Sequence, residues 1–235
     1  MMLSANEIKQ RVSTGEIKIQ DFSEARLGTN SYNLRLDEDL LVYREAVLDP
    51  KQDNRTNLIH IPPEGLVLKP GQLYLANTME YTETHGLVPM LIGRSSIGRL
   101  GLAVHVTAGF GDIGFSGRWT LELLAAHPIR VYPGMEICQV FFQTVCGEIL
   151  REYDGKYQKS TGVVSSRLYQ EVDRWEKPAK TNADALREMD VDALAALLGG
   201  GPCPPDVPED ECLDDGEGDC RKCWRRWLDL PAGEQ

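Results

Sequence analysis

Apolar and polar positions change their spacing twice along the chain, and each change marks a change in the kind of element the segment can form. Over residues 1–15 a polar stretch carries Ile8 and Val12 on one helical face behind Ser4, a residue suited to cap a helix, which predicts a short N-terminal helix. From Ile17 to about Val145 the apolar residues come in short or alternating runs. Examples are Leu34-Arg35-Leu36, Leu40-Leu41-Val42-Tyr43, Leu66-Val67-Leu68 and Leu73-Tyr74-Leu75. Turn signals such as Lys69-Pro70-Gly71 and Tyr132-Pro133-Gly134 separate them, and no stretch keeps a helical period for a useful length. Many short strands punctuated in this way predict an all-β sandwich, roll or barrel. Two Pro-Gly turns, each leading into an apolar strand, suggest a paired arrangement of hairpins.

After Glu171 the spacing changes again. Residues 175–182 read as a polar linker, and residues 182–198 as a helix capped by Thr181 or Asn182. Leu186, Met189, Leu194, Leu197 and Leu198 form its apolar side, and Gly199-Gly200-Gly201-Pro202 stops it. Beyond it Trp224, Trp227 and Leu228 make an apolar stripe, expected to pack on that helix. The chain therefore divides into a β domain, residues 1–172, and a small helical tail, residues 173–235, that contains four of the six cysteines.

Charge sharpens that division. Of the net −11, the 16 acidic and 8 basic residues from Asp173 onward contribute −8, which leaves −3 for the first part. An acidic chain is a poor non-specific nucleic-acid binder, because neutralising phosphates needs a basic surface. Apolar runs such as Ile137 to Phe142 are too short to span a bilayer, and the polar N-terminus lacks the apolar centre of a signal peptide. A cytoplasmic protein with neither membrane nor nucleic acid as partner is expected. Cys138 and Cys146, in a strand-like stretch, read as buried small hydrophobes. Cys203, Cys212, Cys220 and Cys223 offer four thiolates, enough for one structural Zn2+ site, although only the last pair has tight knuckle spacing. Two disulfides or reduced thiols are the alternatives.

The densest chemistry lies in Gly93-Arg94-Ser95-Ser96-Ile97-Gly98-Arg99-Leu100-Gly101-Leu102. Guanidinium forks and hydroxyls suit phosphate oxygens, and glycines let backbone N–H groups approach closely. Alone, such a run is more often a solvated turn. His105-Val106-Thr107-Ala108-Gly109-Phe110-Gly111-Asp112 follows, then Gly114-Phe115-Ser116-Gly117 and Leu121-Glu122-Leu123. Glu122 interrupts an apolar strand; if Leu121 and Leu123 face the core, it faces the opposite side, where plain solvent is as good a reading as a site.

These motifs resemble the dCTP deaminases of the dUTPase-like superfamily. The resemblance runs from Met2 to about Val172, through Ser31-Tyr32-Asn33-Leu34-Arg35-Leu36 near the start and Lys156-Tyr157 to Gly162 near the end. It implies a distorted β-barrel or roll of the dUTPase-like, β-clip type, assembled as a homotrimer with active sites between subunits. It also implies dCTP or dUTP as substrate, with Mg2+ carried on the triphosphate and no catalytic zinc. By position, Glu122 would be the general base, Arg99 would place the attacking water, and Ser95 would assist at the ring. Arg94 and Ser96 would lie in the phosphate-binding stretch, Ala108 would offer backbone contacts, and Asp112 would sit by the deoxyribose. Lys156, with Tyr153, would hold the triphosphate. Ser160 falls where a phosphate-binding Gln is expected, Asn33 where Asp is usual, and Gly111 where an aliphatic residue is usual.

A strand-borne carboxylate suits deamination, since water must add to C4 of cytosine while protons move to N3 and the departing ammonia. The zinc route requires H-x-E, and the residues two beyond His60, His85, His105 and His127 are Pro62, Leu87, Thr107 and Ile129. Ala108-Gly109-Phe110 resembles the members that carry dCTP through to dUMP. The alternatives are a dUTP diphosphatase, or a non-catalytic nucleotide sensor whose tail binds an unknown protein. Ending the chain after Asp173 is expected to leave turnover intact in a nucleotide-product assay; loss of all activity would make the tail part of the catalytic unit.

Overall fold

The structure, a computed structural model, describes residues 1–105, 107–176, 186–199 and 220–229. It divides into two compact units, Met1–Gln170 and Glu171–Gln235. The first opens with helix α1 (Ala5–Thr14), whose N-terminal amide on Glu7 donates to the Ser4 hydroxyl and whose Ile8 is fully buried. The side-chain cap and the single apolar face make this segment helical, and Gly15, with φ of 82°, ends it.

Thirteen strands follow among the described residues, in four sheets. β1 (Ile17–Ile19), β7 (Thr82–Thr84) and β10 (Ser116–Gly117) form one, ordered β1-β7-β10. The largest runs β4 (Thr56–His60), β3 (Asp39–Tyr43), β6 (Tyr74–Asn77), β11 (Thr120–Ala125), β9 (Leu102–Val104). The long strand β13 (Glu136–Thr144) lies between β2 (Tyr32–Arg35) and β8 (Leu87–Gly93). The Pro-Gly turns do not close hairpins. The strands before them, β5 (Leu66–Leu68) and β12 (Ile129–Val131), pair with each other, while the strands after them, β6 and β13, enter different sheets. This roll-like crossing, with the inward residues Leu34, Leu68, Leu91, Leu121, Val140 and Phe142 in one core, is the all-β architecture expected from the alternating pattern. One short helix interrupts it: α2 (Ser95–Arg99), whose single buried residue is Ile97.

Cys138 is fully buried, and burial pushes its thiol above the ordinary range. Cys146 is exposed, contrary to the sequence expectation, because β13 ends at Thr144 and leaves it outside the sheet. In the second unit the helical segment expected over 182–198 is broken at Met189–Asp190. The Asp190 carboxylate accepts from the Ala193 N–H and so starts a new helix, Val191–Leu198. That helix packs on a second one, Arg221–Leu228, where Trp224 and Trp227 meet edge to face at 5.6 Å. Residues 177–185, with most of the expected linker, lie outside the described residues. No helix among the described residues is long and apolar enough to cross a membrane.

A buried ion pair ties the end of β2 to the approach to β7. The Glu80 side chain is wholly buried, accepts from the Arg35 backbone N–H at 2.8 Å and from its guanidinium Nε at 2.6 Å, and holds the arginine firmly protonated. Glu80→Ala is expected to cost about 2–3 kcal/mol, since the partly buried guanidinium and the Arg35 N–H lose their acceptor together. Urea unfolding measures this, and a change below about 0.5 kcal/mol, the scale of ordinary surface substitutions, would show that the carboxylate does not hold β2.

Candidate active site

Strand β11 has Leu121, Leu123 and Ala125 buried on one face, so Glu122 points out of the core. It points into a cavity of about 420 Å3 within the first unit. Ala108, Asp112, Tyr153 and Ser160 line the same cavity. Five of the residues singled out in the sequence are thereby brought together, from segments that lie up to 52 positions apart in the chain.

The carboxylate has a neighbour that the sequence reading passed over. The imidazole of His105, 7% exposed, places Nδ1 2.6 Å from Glu122 Oε2. The approach has the distance of an ion pair without the direction of a hydrogen bond, and among the described residues neither atom has a directed partner elsewhere. His105 stands at φ of 56°, unusual for a residue with a side chain, and its backbone N–H donates to the Glu122 carbonyl at 3.1 Å. A buried carboxylate oxygen without a directed donor is an acceptor held ready for a ligand or water proton. No local signal in the sequence marks this pair: Val104 pairs with Leu123 across β9 and β11, so the residue after Val104 meets the one before Leu123, and only the strand register brings them together.

The segment 108–112 is shaped by two glycines. It runs beside β8, with the Leu91 N–H donating to the Gly109 carbonyl and the Gly111 N–H to the Pro89 carbonyl. A Cβ on Gly109 would fall 2.3 Å from the Leu91 oxygen, and one on Gly111 would fall 2.4 Å from Trp119 Cη2. The glycines therefore face β8 and Trp119, and the alternate residues, Phe110 and Asp112, line the cavity. Phe110 is 67% exposed there. Trp119, anchored by Nε1 donating to Thr82 Oγ1 at 2.9 Å, occupies the volume that an aliphatic side chain at 111 would need. Its ring lies 4.6 Å from Phe115, which in turn faces Tyr153 at 6.2 Å, giving the cavity an aromatic wall.

Residues 152–160 close one side. The Tyr153 N–H donates to the Ile113 carbonyl, the Lys159 N–H to the Ser116 carbonyl and the Arg118 N–H to the Ser160 carbonyl. His85 bridges this segment to β7, its ring nitrogens 2.8 Å from Glu152 and 3.0 Å from Glu83. Those carboxylates, Glu152 first, raise the imidazole above its ordinary value. The bridge thus contributes fully below the ordinary histidine pKa and fades as pH rises through the raised one. Arg118 also lines the cavity; its guanidinium lies 2.5 Å from Asp37, which accepts from the Asn77 amide as well.

The other singled-out residues lie elsewhere. Ser95, Ser96 and Arg99 on α2 are exposed and do not line the cavity. Arg94, just before α2, is paired with Glu136. The Lys156 ammonium sits 5.4 Å above the Tyr157 ring. Of the four tail cysteines, Cys203 and Cys212 lie outside the described residues, Cys223 is buried, and Cys220 precedes helix Arg221–Leu228. Among the described residues no group of three or more His, Cys, Asp or Glu is placed to hold a metal ion.

A family model described as dCTP deaminase-like matches residues 2–145. The chain is 56% identical over 174 residues to a protein of Leptospira biflexa named "dCTP deaminase, dUMP-forming", covering 74% of this chain and 99% of that one. A protein of the same name from Hathewaya histolytica is 54% identical over 173 residues, covering 74% of this chain and all of the other. The crystal structure of 2'-deoxycytidine 5'-triphosphate deaminase from Agrobacterium tumefaciens is similar with a TM-score of 0.49 and 22% identity, over 60% of this chain and 47% of that one.

Gly109→Ala is expected to push segment 108–112 off β8 and to destabilise the protein by about 1–3 kcal/mol, the usual cost of overpacking. Denaturant unfolding reads the change. Wild-type stability in this variant would mean that the close approach to Leu91 is not what holds the segment.

Proposed function

Because the chain belongs to the dCTP deaminase-like family, we propose that it hydrolyses dCTP to dUTP and ammonia and carries the dUTP on to dUMP and pyrophosphate. One observation carries this reading: Glu122, with a buried oxygen lacking a directed donor, shares a cavity with Asp112. Glu122 is the general base and acid of deamination. It takes a proton from the water that adds to C4 of cytosine, delivers protons to N3 and the amino group, and lets ammonia leave. His105, in contact with Oε2, holds the carboxylate in place. Asp112 lies beside the deoxyribose and serves the second hydrolysis, in which water attacks the α-phosphorus and pyrophosphate departs. The aromatic wall of Phe115, Trp119 and Tyr153 suits a flat base and its sugar.

The triphosphate arrives with Mg2+, whose ligands include the substrate's own oxygens. Arg94, Ser96, Lys156 and Ser160 take the remaining phosphate contacts, while Ser95 and Arg99 act at the ring. Exposure of Ser95, Ser96 and Arg99 away from the cavity supports a homotrimer in which one copy supplies α2 to the next copy's Glu122. The reaction belongs in the cytoplasm, where deoxynucleotides are made.

Incubation with dCTP and Mg2+, followed by chromatography of the nucleotides, tests the proposal. Wild type should yield dUMP and pyrophosphate. Glu122→Gln should lose at least about 10²-fold in dCTP turnover, the contribution of one general base, while still hydrolysing added dUTP. Accumulating dUTP would restrict the activity to deamination, dUTP consumption alone would make the chain a diphosphatase, and no consumption of either would make it a binder.

A further inference from the structure

Arg94 enters α2 through a contact that no catalytic role accounts for. Its Nη1 donates to the Glu136 carbonyl at 3.0 Å and lies 3.1 Å from Glu136 Oε2. The same Oε2 accepts from the Asn33 side-chain amide at 3.0 Å. Glu136 and Arg94 are each about one-third exposed, so the contact is shielded from bulk water on most of its surface. The backbone places it. β13 pairs Glu136 with Arg35 and Cys138 with Leu34, so Ile137 is an extra residue at a bulge. Ile137 is fully buried. A bulge of this kind re-aims the neighbouring side chain, and here that side chain is Glu136.

We infer that Glu136, braced by the Asn33 amide, is a positioning residue that sets the direction of the Arg94 guanidinium and so prepares the start of α2 for phosphate. The inference rests on the reading of Arg94 given under Proposed function. Both contacts to Glu136 use Nη1, and among the described residues this leaves the Nε and Nη2 edge of the fork for a phosphate oxygen pair. Asn33 is what permits this. An aspartate there would set a second carboxylate against Glu136 Oε2 and would offer it no donor, whereas the amide donates and leaves one negative charge on the arginine.

The test uses full-length Arg94→Ala, Glu136→Ala and Glu136→Gln, each assayed for dCTP turnover with Mg2+ and melted thermally. Glu136→Ala is expected to raise KM for dCTP roughly three- to tenfold and to change kcat by less than about twofold, the pattern of lost binding shared by ground and transition states. Glu136→Gln, which keeps an acceptor and loses the charge, should fall between Glu136→Ala and wild type. Arg94→Ala should raise KM by at least as much as Glu136→Ala.

If Arg94→Ala raises KM while both Glu136 variants match wild type, the positioning role is wrong and the functional reading stands. If Glu136→Ala lowers the melting temperature and kcat together with KM unchanged, Glu136 is structural and the inference fails. An unchanged KM in Arg94→Ala overturns the phosphate role and the inference with it. Should wild type leave dCTP and dUTP intact, the functional reading fails by itself; calorimetric affinity for dCTP must then show the same order of variants, and equal affinities would overturn the inference.

Discussion

The pairing of β13 with β8 is the constraint on which the working parts of the β domain depend. Seven consecutive residue pairs, from Cys138 with Gly93 to Thr144 with Leu87, lock the two strands in register. Because side chains alternate with a period of two, a slip of one residue would turn Leu91, Val140 and Phe142 out of the core, and the burial of all three forbids it. Two consequences follow at opposite edges of this pair. On the open side of β8, its backbone at Pro89 and Leu91 holds Gly111 and Gly109, which turns Asp112 and Phe110 into the cavity. At the end of β8, Gly93 delivers the chain to Arg94, where the bulge in β13 presents Glu136.

The cavity is built by the same economy of backbone contacts. Glu122 is set by its register with Leu75 on β6, and its neighbour His105 by the end of β9. Residues 152–160, far along the chain, return by main-chain bonds to Ile113, Ser116 and Arg118. Polar side chains that would otherwise be costly inside the domain are satisfied locally: Glu80 by Arg35, Asp37 by Arg118 and Asn77, Trp119 by Thr82. The carboxylate of Glu122 and the imidazole of His105 stand apart from that rule, touching each other without a directed bond.

The gains and misses of reading residues in order have particular causes. Ser4 capping α1 and the strand alternation around Glu122 depend on neighbours within a few positions, and both were visible. Cys146 was misplaced because strand ends are set by the partner strand, and β8 stops supporting β13 at Thr144. The break at Asp190 was missed because a capping aspartate inside an apolar helical pattern competes locally with the period of that pattern. The Pro-Gly turns were legible as turns, yet the strands before them, β5 and β12, pair with each other across more than sixty residues.

By itself the sequence determined the all-β character of the first part, its N-terminal helix, the helical and acidic tail, and a motif specific enough to point to one family, since these follow from local periodicity, charge and residue order. Tertiary structure alone decided which motif residues meet. It joined Glu122, Ala108, Asp112, Tyr153 and Ser160 in one cavity, added His105 to it, and left α2 facing outward with Arg94 held by Glu136. The physical reason is that long-range strand register and a single extra residue in β13 orient these side chains, and neither is encoded in any short stretch of chain.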